Sequence, residues 1–332
     1  MSISEFDIIK KYFFDKFPIN TSFLKGDDCA VFSVPVGENV VTSTDILIEG
    51  RHFFSNVDPS SLGHKALIIN LSDLAAMGAK PIGCLLSLAL PYIDENWLEK
   101  FSNEFHKSAQ FQECFLIGGN IARSNNGIFI NVTVFGSISP LKILRRDAAK
   151  VGDEIWVSGT FGAPDIAYRL LSGKILPNIP LLEKIRSTLE WPNARLNLGQ
   201  VLAEDSIANA AIDISDGLLQ DLRHILFSSQ VGANISYSSI PIDPYLSNLP
   251  KRILQESVLS GGDLYELCFT ADPKNHKKIK KISKNLNIPI TMIGYITDRI
   301  NHLNVMNFQG SKLEPLPNNG FDHFSDFSLI KK

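Results

Sequence analysis

One apolar run with a single aspartate inside it constrains this 332-residue chain more than any other feature: KALIINLSDLAAMGA, residues 65–79. With the preceding SSLGH it has the length of a helix over 60–79, buried around most of its circumference and closed by Gly78. Such a helix must be covered on several sides, and the next segment, IGCLLSLAL (82–90), is the aliphatic run of a central strand. Asp73 sits within the helix. An unpaired carboxylate buried in those surroundings is costly, and a divalent cation compensates it.

The flanking segments supply the rest of a mixed unit. EFDIIKKYFFDKF (5–17) has apolar residues near helical spacing, with Pro18 as a stop. KGDDCAVFSVP (25–35) predicts a turn and then a strand, and ENVVTSTDILIEG (38–50) is a β-branched run that predicts another. DENWLEKFSNEFHKSAQF (94–111) is an amphipathic helix with Asp94 as its cap, and CFLIGGN and GIFINVTVFGSI read as two more strands. The order β-β-α-β-α-β-β is α+β rather than a doubly wound nucleotide fold.

The charged stretch LRRDAAKVGDE (144–154) predicts a junction, with domains over 1–142 and 143–332. After it, EIWVSG predicts a strand and 163–172 a helix. A Pro-rich connector follows over 176–192, then a helix near 195–205. AAIDISDGLLQDLRHILF reads as strand then helix, and SGGDLYELCFTA and ITMIGYITD as later strands. The halves echo each other loosely in a Gly-Gly-polar turn, Gly118-Gly119-Asn120 and Gly261-Gly262-Asp263. KNHKKIKKISKN (274–285) is the one charge run, and the spacing of Ile279, Ile282 and Leu286 makes it the solvated face of a helix.

A net charge of −3 gives no general attraction to nucleic acid or anionic membrane. The N-terminus, MSISEFDIIKKYFF, mixes charges into its apolar residues, and no stretch approaches the roughly 18–20 apolar residues of a membrane span. Cys29, Cys84, Cys114 and Cys268 are scattered and form no CxxC pair, so reduced thiols and a cytoplasmic location are expected.

Asp27, Asp28, Asp45, Asp73, Asp213 and Asp216 share a pattern: each lies beside an apolar run, with Gly, Ser, Thr or another Asp within two residues, and is expected at a turn or element end. One such aspartate is ordinarily a turn residue or a helix cap. Several on separate elements offer hard oxygen ligands, which suit Mg²⁺ shared with substrate phosphates better than Zn²⁺. The chain has no Walker A sequence (Gly173-Lys174 is followed by Ile175), no GxGxxG, no protein-kinase HRD or DFG set and no evident Ser/His/Asp nucleophile motif.

Eight segments carry a resemblance: KGDDCAVF (25–32), TSTDILIEGRHF (42–53), KALIINLSDLAAMGAKP (65–81), FLIGGN (115–120), RRDAAKVGD (145–153), DISDGLLQDL (213–222), SGGDLYELCF (260–269) and GFDHF (320–324). In this order and spacing they resemble the signatures of the thiamine-monophosphate kinase family, within the aminoimidazole-ribonucleotide-synthetase superfamily. The resemblance implies a two-domain architecture: an N-terminal mixed sheet with helices on one side, then a C-terminal α/β domain. It further implies a homodimer joined through the N-terminal sheets, and ATP lying across the domains with its phosphates on several Mg²⁺ ions. Carried over by motif, the metal ligands are Asp27, Asp28, Ser43, Thr44, Asp45, Asp73, Asp213 and Asp216. ATP contacts are Gly119, Asn120, Arg146 and Ser215, and thiamine contacts are His52, Asp263 and Phe321.

The implied reaction is direct, metal-assisted transfer of the ATP γ-phosphoryl group to thiamine monophosphate, with no catalytic side chain, since the acceptor phosphate is already an anion. Arg146 offers a fixed cation to phosphate oxygens, Asp263 an acceptor near a cationic ligand, and Phe321 a ring to stack on a flat heterocycle. Two positions depart from the family pattern. Asn120 stands where an aspartate ligand is usual, and Leu264 follows the Gly-Gly-acid turn where relatives carry an acid or polar residue. Asn120 opens the alternative of a weakened or non-catalytic nucleotide- or thiamine-phosphate-binding homologue; another ATP-dependent member of the superfamily is the second alternative.

Overall fold

The computed structural model describes residues 4–15, 28–307, 309–314, 316 and 320. The chain divides into two units, Met1–Ala75 with Ala79–Ile143, and Ala76–Gly78 with Leu144–Lys332.

In the first unit, Ser4 and Asp7 cap each other's backbone to start α1 (Glu5–Ile8), which runs on as a π-helical segment Ile9–Phe14. There follow β1 (Asn39–Ile48), α2 (Pro59–Met77), β2 (Lys80–Leu90), α3 (Glu95–Phe111), β3 (Phe115–Arg123) and β4 (Phe129–Ile138). The strands form a four-stranded sheet in the order β1-β4-β2-β3, in which β2 and β3 are parallel and the other pairs antiparallel. Asp94 caps α3 as expected, accepting from the Asn96 and Trp97 amides. The apolar run of α2 has the predicted role, with Leu67, Leu71 and Leu74 at 1% exposure or less. Gly63 lets α2 and α3 approach, because a Cβ there would lie 2.3 Å from the Phe101 carbonyl oxygen. The helix-facing side of the sheet is buried through Leu86, Leu88, Val132 and Val134, while Val40 and Ile46 on the other side of β1 are exposed.

Two expectations fail here. No strand forms over residues 28–37, although apolar residues alternate there. Among the described residues the segment pairs with no strand: Val31 and Val36 stay exposed, Phe32 packs 5.5 Å from the Phe135 ring, and Pro35 lacks a backbone donor. Gly118-Gly119-Asn120 is not a turn but lies inside β3, where Gly119 pairs with Leu86 and a Cβ would sit 1.9 Å from the Leu86 oxygen. Cys84 and Cys114, distant in sequence, are buried neighbours, and hydrogen bonding to Cys114 together with burial holds the Cys84 thiol well above its ordinary pKa.

The second unit contains β5 (Glu154–Ser158), α4 (Ala163–Leu171), α5 (Ile179–Glu190), α6 (Leu196–Glu204), β6 (Ala210–Ile214), α7 (Leu218–Ser229) and β7 (Gly232–Ser236). It continues through α8 (Lys251–Ser260), β8 (Glu266–Ala271), α9 (His276–Leu286), β9 (Ile290–Thr297) and β10 (Leu303–Met306). The six strands are ordered β10-β7-β9-β5-β8-β6, with only β10 and β7 parallel. Its main core gathers Ile155, Val157, Ile212, Ile214, Leu222 and Ile293. The expected Pro-rich connector instead carries α5: Asn178 accepts from the Leu181 amide, and Pro180 falls in the first turn, where a missing N–H costs nothing. On α9, Ile279 and Ile282 are buried and Lys277, Lys278 and Lys281 are exposed, the solvated basic face expected of the charge run. No helix among the described residues is long and apolar enough to cross a membrane.

Candidate functional site

In the first unit the carboxylates are held by regular elements rather than by turns. Asp45 lies in β1, an edge strand, and Asp73 in the interior of α2. The two elements are tied twice. Ser43 Oγ donates to Asp73 Oδ2 at 2.6 Å, and the Asp45 amide donates to Asn70 Oδ1 at 2.9 Å. Asn70, 1% exposed and one turn before Asp73, also donates through Nδ2 to the Ala66 carbonyl at 3.0 Å. Its amide therefore has a fixed orientation, and it sets the position of the Asp45 backbone against the helix that carries Asp73. Thr44 points to the opposite face of β1, within 2.9 Å of Thr133 Oγ1, and Asn131 donates to both the Thr44 hydroxyl and the Asp45 carbonyl. Beyond the strand, His52 Nδ1 accepts from the Ile48 amide at 3.0 Å, which orients the ring in the turn that follows β1.

Asn120 is not beside this group. The sheet register places Ile46, Asn131, Ser87 and Asn120 in one row, and Asp45, adjacent to Ile46, faces the other side. Asn120 is exposed on β3, at the opposite edge from β1. Asp28 is exposed in the irregular segment, and Asp27 and Phe321 lie outside the described residues.

In the second unit the acids gather around one tight turn. Asp213 is the penultimate residue of β6 and 4% exposed, and Ser215-Asp216-Gly217 leads from the strand into α7. Asp221 reaches back from the first turn of α7 and accepts from the Asp216 amide at 3.1 Å and the Gly217 amide at 3.0 Å through one oxygen. Gln220 Nε2 donates to Asp216 Oδ2 at 3.1 Å. Burial, with the negative charges of Asp213 and Asp216, pushes the Asp221 carboxyl up to about 8. That shift marks a place where negative charge is crowded and a cation would be welcome.

The Gly261-Gly262-Asp263 segment is fastened onto this turn. The Asp263 amide donates to the Ser215 carbonyl at 2.9 Å and the Tyr265 amide to the Ile214 carbonyl at 2.8 Å. A Cβ on Gly262 would lie 2.4 Å from the Ser215 oxygen, and one on Gly217 would lie 2.7 Å from the Ser260 backbone at a φ of +122°. Asp263 and Tyr265 both adopt positive φ, +61° and +56°, a conformation costing on the order of 1–3 kcal/mol for each such residue. Leu264 between them is buried in the core, which accounts for an apolar residue at this position. Tyr265 Oη donates to Asp263 Oδ1 at 2.9 Å. Gly320 packs against the Asp216 carbonyl, so the GFDHF segment begins at the same turn. Arg146 is exposed, and its carbonyl accepts from Ser229 Oγ at 2.8 Å.

Next to this turn, Arg195 forms a bidentate pair with the buried Glu266, whose carboxylate also accepts from Ser158 Oγ at 2.5 Å. Residue identities alone did not single out Arg195, Glu266, Asn70, Asp221 or Tyr265. The last four lie within segments that carried the resemblance, but their roles depend on partners far away in sequence. Among the described residues no group of three or more His, Cys, Asp or Glu side chains converges closely enough to hold a metal ion by itself. The donors are nonetheless all oxygen, two hard-oxygen clusters of carboxylate and hydroxyl, and the crowded Asp213–Asp216–Asp221 group has a charge that a cation offsets. That chemistry fits Mg²⁺ completed by ligand oxygens and water better than a metal enclosed by protein alone.

Comparison with known proteins places the chain. Residues 26–138 match the AIR synthase related protein N-terminal domain, and residues 150–302 match the corresponding C-terminal domain. The chain is 39% identical to the thiamine-monophosphate kinase of Buchnera aphidicola from Acyrthosiphon pisum, over 98% of this chain and 100% of that protein. It is 36% identical to the thiamine-monophosphate kinase of Haemophilus influenzae, over 98% of this chain and 99% of that protein. Among solved structures it is similar to thiamine-monophosphate kinase from Stenotrophomonas maltophilia, with a TM-score of 0.81 at 37% identity over 89% of this chain and 93% of that one. It is also similar to AaThiL complexed with AMPPCP and TMP, with a TM-score of 0.74 at 30% identity over 88% of this chain and 89% of that one. The hydrogenase maturation protein HypE in complex with ATP, at 18% identity and a TM-score of 0.74, shares the fold.

Proposed function

The chain belongs to the thiamine-monophosphate kinase family of AIR synthase related proteins, and from that premise we propose that it phosphorylates thiamine monophosphate with ATP, giving thiamine diphosphate and ADP. What supports this most is one conjunction. The chain is 30% identical to a protein seen with AMPPCP and TMP, and it keeps Asp45 tied to α2 and Asp216 held by Asp221.

In this reading Asp27, Asp28, Ser43, Thr44, Asp45, Asp73, Asp213 and Asp216 hold Mg²⁺, which when bound neutralises the charge of two approaching polyanions. Gly119, Asn120, Arg146 and Ser215 bind ATP, and His52, Asp263 and Phe321 bind the thiamine moiety. The γ-phosphoryl group passes in line: its bond to the ADP oxygen breaks as a bond forms to a terminal oxygen of thiamine monophosphate. That oxygen is already anionic, so no side chain has to remove a proton. The protein's task is to bring the two anions together and align them, and Arg146 contributes a cation for their oxygens. Residues 1–142 carry the first metal cluster and the dimer contact, made through the outer sheet face that leaves Val40 and Ile46 exposed. A cytoplasmic setting suits the four free thiols.

Incubation with ATP, thiamine monophosphate and Mg²⁺, with thiamine diphosphate measured by chromatography, tests the proposal. Protein that is stabilised by ATP yet forms no thiamine diphosphate overturns it. Asn120 favours that second reading, binding without turnover, since a neutral oxygen stands where relatives place a charged one; Asn120→Asp restores activity if the neutral side chain is what removed it.

A further inference from the structure

We propose that Arg195 is a phosphate-binding residue, presenting the outer edge of its guanidinium to a phosphate group of ATP or of thiamine monophosphate; this rests on the functional reading above. The side chain is fixed before any ligand arrives. Its Nε donates to Glu266 Oε2 at 2.6 Å and its Nη2 to Glu266 Oε1, a forked pair that sets the plane of the group. Glu266 is in turn held by the sheet. Ser158 Oγ donates to Glu266 Oε2 at 2.5 Å and itself accepts from the Leu267 amide at 2.9 Å. Gly159, at a φ of +67°, leaves the room this carboxylate occupies, since a Cβ there would lie 2.0 Å from Oε1. A guanidinium has N–H donors on both edges, and this pair uses only one edge. Among the described residues the donors of the other edge meet no acceptor, and the Arg195 side chain is 20% exposed where that of Glu266 is 10%. The carboxylate is thus the deeper partner, and the far edge of the cation is the accessible one. Its place points to the site. Ser158 and Ile214 end β5 and β6, and Glu266, the first residue of β8, pairs with Ile214. The guanidinium therefore belongs to the sheet end from which Ser215-Asp216-Gly217 departs and onto which Gly262 and Asp263 fold back. Asp213, Asp216 and Asp221 crowd negative charge at that turn, so a phosphate arriving beside them gains from a fixed cation. With one edge locked by a carboxylate, the other is offered at a set angle and loses little rotamer freedom on binding.

Calorimetric binding of ATP and thiamine monophosphate to the full chain with Mg²⁺ present, beside adenosine and thiamine, which lack the phosphates, tests this. Arg195→Lys keeps a cation against Glu266 but has no second edge to offer. Arg195→Gln combined with Glu266→Gln removes both charges and leaves no carboxylate buried alone, so the fold is kept. Both variants are expected to bind at least one of the two phosphate ligands about tenfold more weakly than the parent, with adenosine and thiamine unchanged. A loss confined to ATP assigns Arg195 to the donor phosphates, and one confined to thiamine monophosphate assigns it to the acceptor phosphate. Parent-like affinity for both phosphate ligands in either variant overturns the inference, as does an equal loss for the ligands without phosphate. The pair then only fastens the start of α6 to the sheet, and thiamine diphosphate formation by the parent still upholds the functional reading. A parent that binds neither ATP nor thiamine monophosphate overturns that reading, and this inference with it.

Discussion

The two carboxylate clusters solve the same problem in opposite ways. In the first unit Asp45 and Asp73 project from the middle of a strand and of a helix, elements that would form without them, and they are tied through Ser43 and Asn70. In the second, Asp216, Asp221 and Asp263 sit around turns that exist only because glycines permit close approach and positive φ. A cluster built on regular elements has its geometry supplied by core packing, so its side chains can be changed with little effect on folding. A cluster built on turns stakes part of the stability of the unit on the site itself.

The sharpest way to break this contrast is to change one acid in the first cluster. Asp73→Asn or Asp45→Asn is expected to lower kcat/KM for thiamine diphosphate formation by a factor on the order of 10³ or more, with Tm within a few degrees of the parent. Retention of full activity by either variant removes the metal role assigned to that cluster. The second cluster is expected to fail through folding first. Gly217→Ala places a methyl group against the Ser260 backbone at a φ of +122°, and a loss of about 2–4 kcal/mol is expected in urea unfolding. A neutral result there shows that the turn has slack, and the contrast collapses.

Asp221 gives the contrast a pH signature. Its carboxyl is raised from an ordinary 3.8 to about 8, mainly by burial and then by Asp213 and Asp216. The native state therefore binds this proton more tightly than the unfolded chain, so the contribution to stability is lost progressively as pH rises from about 4 through about 8. Asp221→Asn keeps an oxygen for the Asp216 and Gly217 amides and carries no charge. It is expected to stabilise the metal-free protein at pH 8 by about 1–3 kcal/mol and to flatten the pH dependence of Tm over that range. Equal slopes for parent and variant contradict the crowded-charge account. The smallest effect is expected at Asn70. Replacement by Ala removes one buried tie between β1 and α2, costing about 1–2 kcal/mol, while raising the Mg²⁺ concentration for half-maximal ATP binding several-fold. A stability loss with no change in Mg²⁺ dependence makes Asn70 a packing residue only.

The contrast also explains what could be read without coordinates. The amphipathic 94–111 helix and the apolar runs that became α2 and β2 have patterns that packing amplifies, so they were legible. Asp73 stood out because it interrupts such a run. Other features depended on partners that no local pattern reveals. Residues 28–37 alternate like a strand but join no ladder among the described residues. The 176–192 stretch reads as a connector from its prolines, yet it carries α5, which Asn178 caps and which places Pro180 in the one helical turn that tolerates proline. The two Gly-Gly-polar segments look alike in sequence, yet one runs straight through β3 because Gly119 must clear the Leu86 oxygen, while the other turns back on Ser215. The resemblance named the acids of both clusters, but Asn70, Asp221 and Tyr265, which hold them, act through hydrogen bonds whose partners only the fold supplies.

Thiamine diphosphate formation from ATP and thiamine monophosphate, followed across a Mg²⁺ titration in the parent, Asp45→Asn and Asp216→Asn, tests the central claim most directly. The account predicts turnover in the parent that depends on Mg²⁺ and disappears on chelation, and loss of turnover in both variants at saturating ATP. Turnover that persists in chelator, or in either variant at the parent rate, contradicts it.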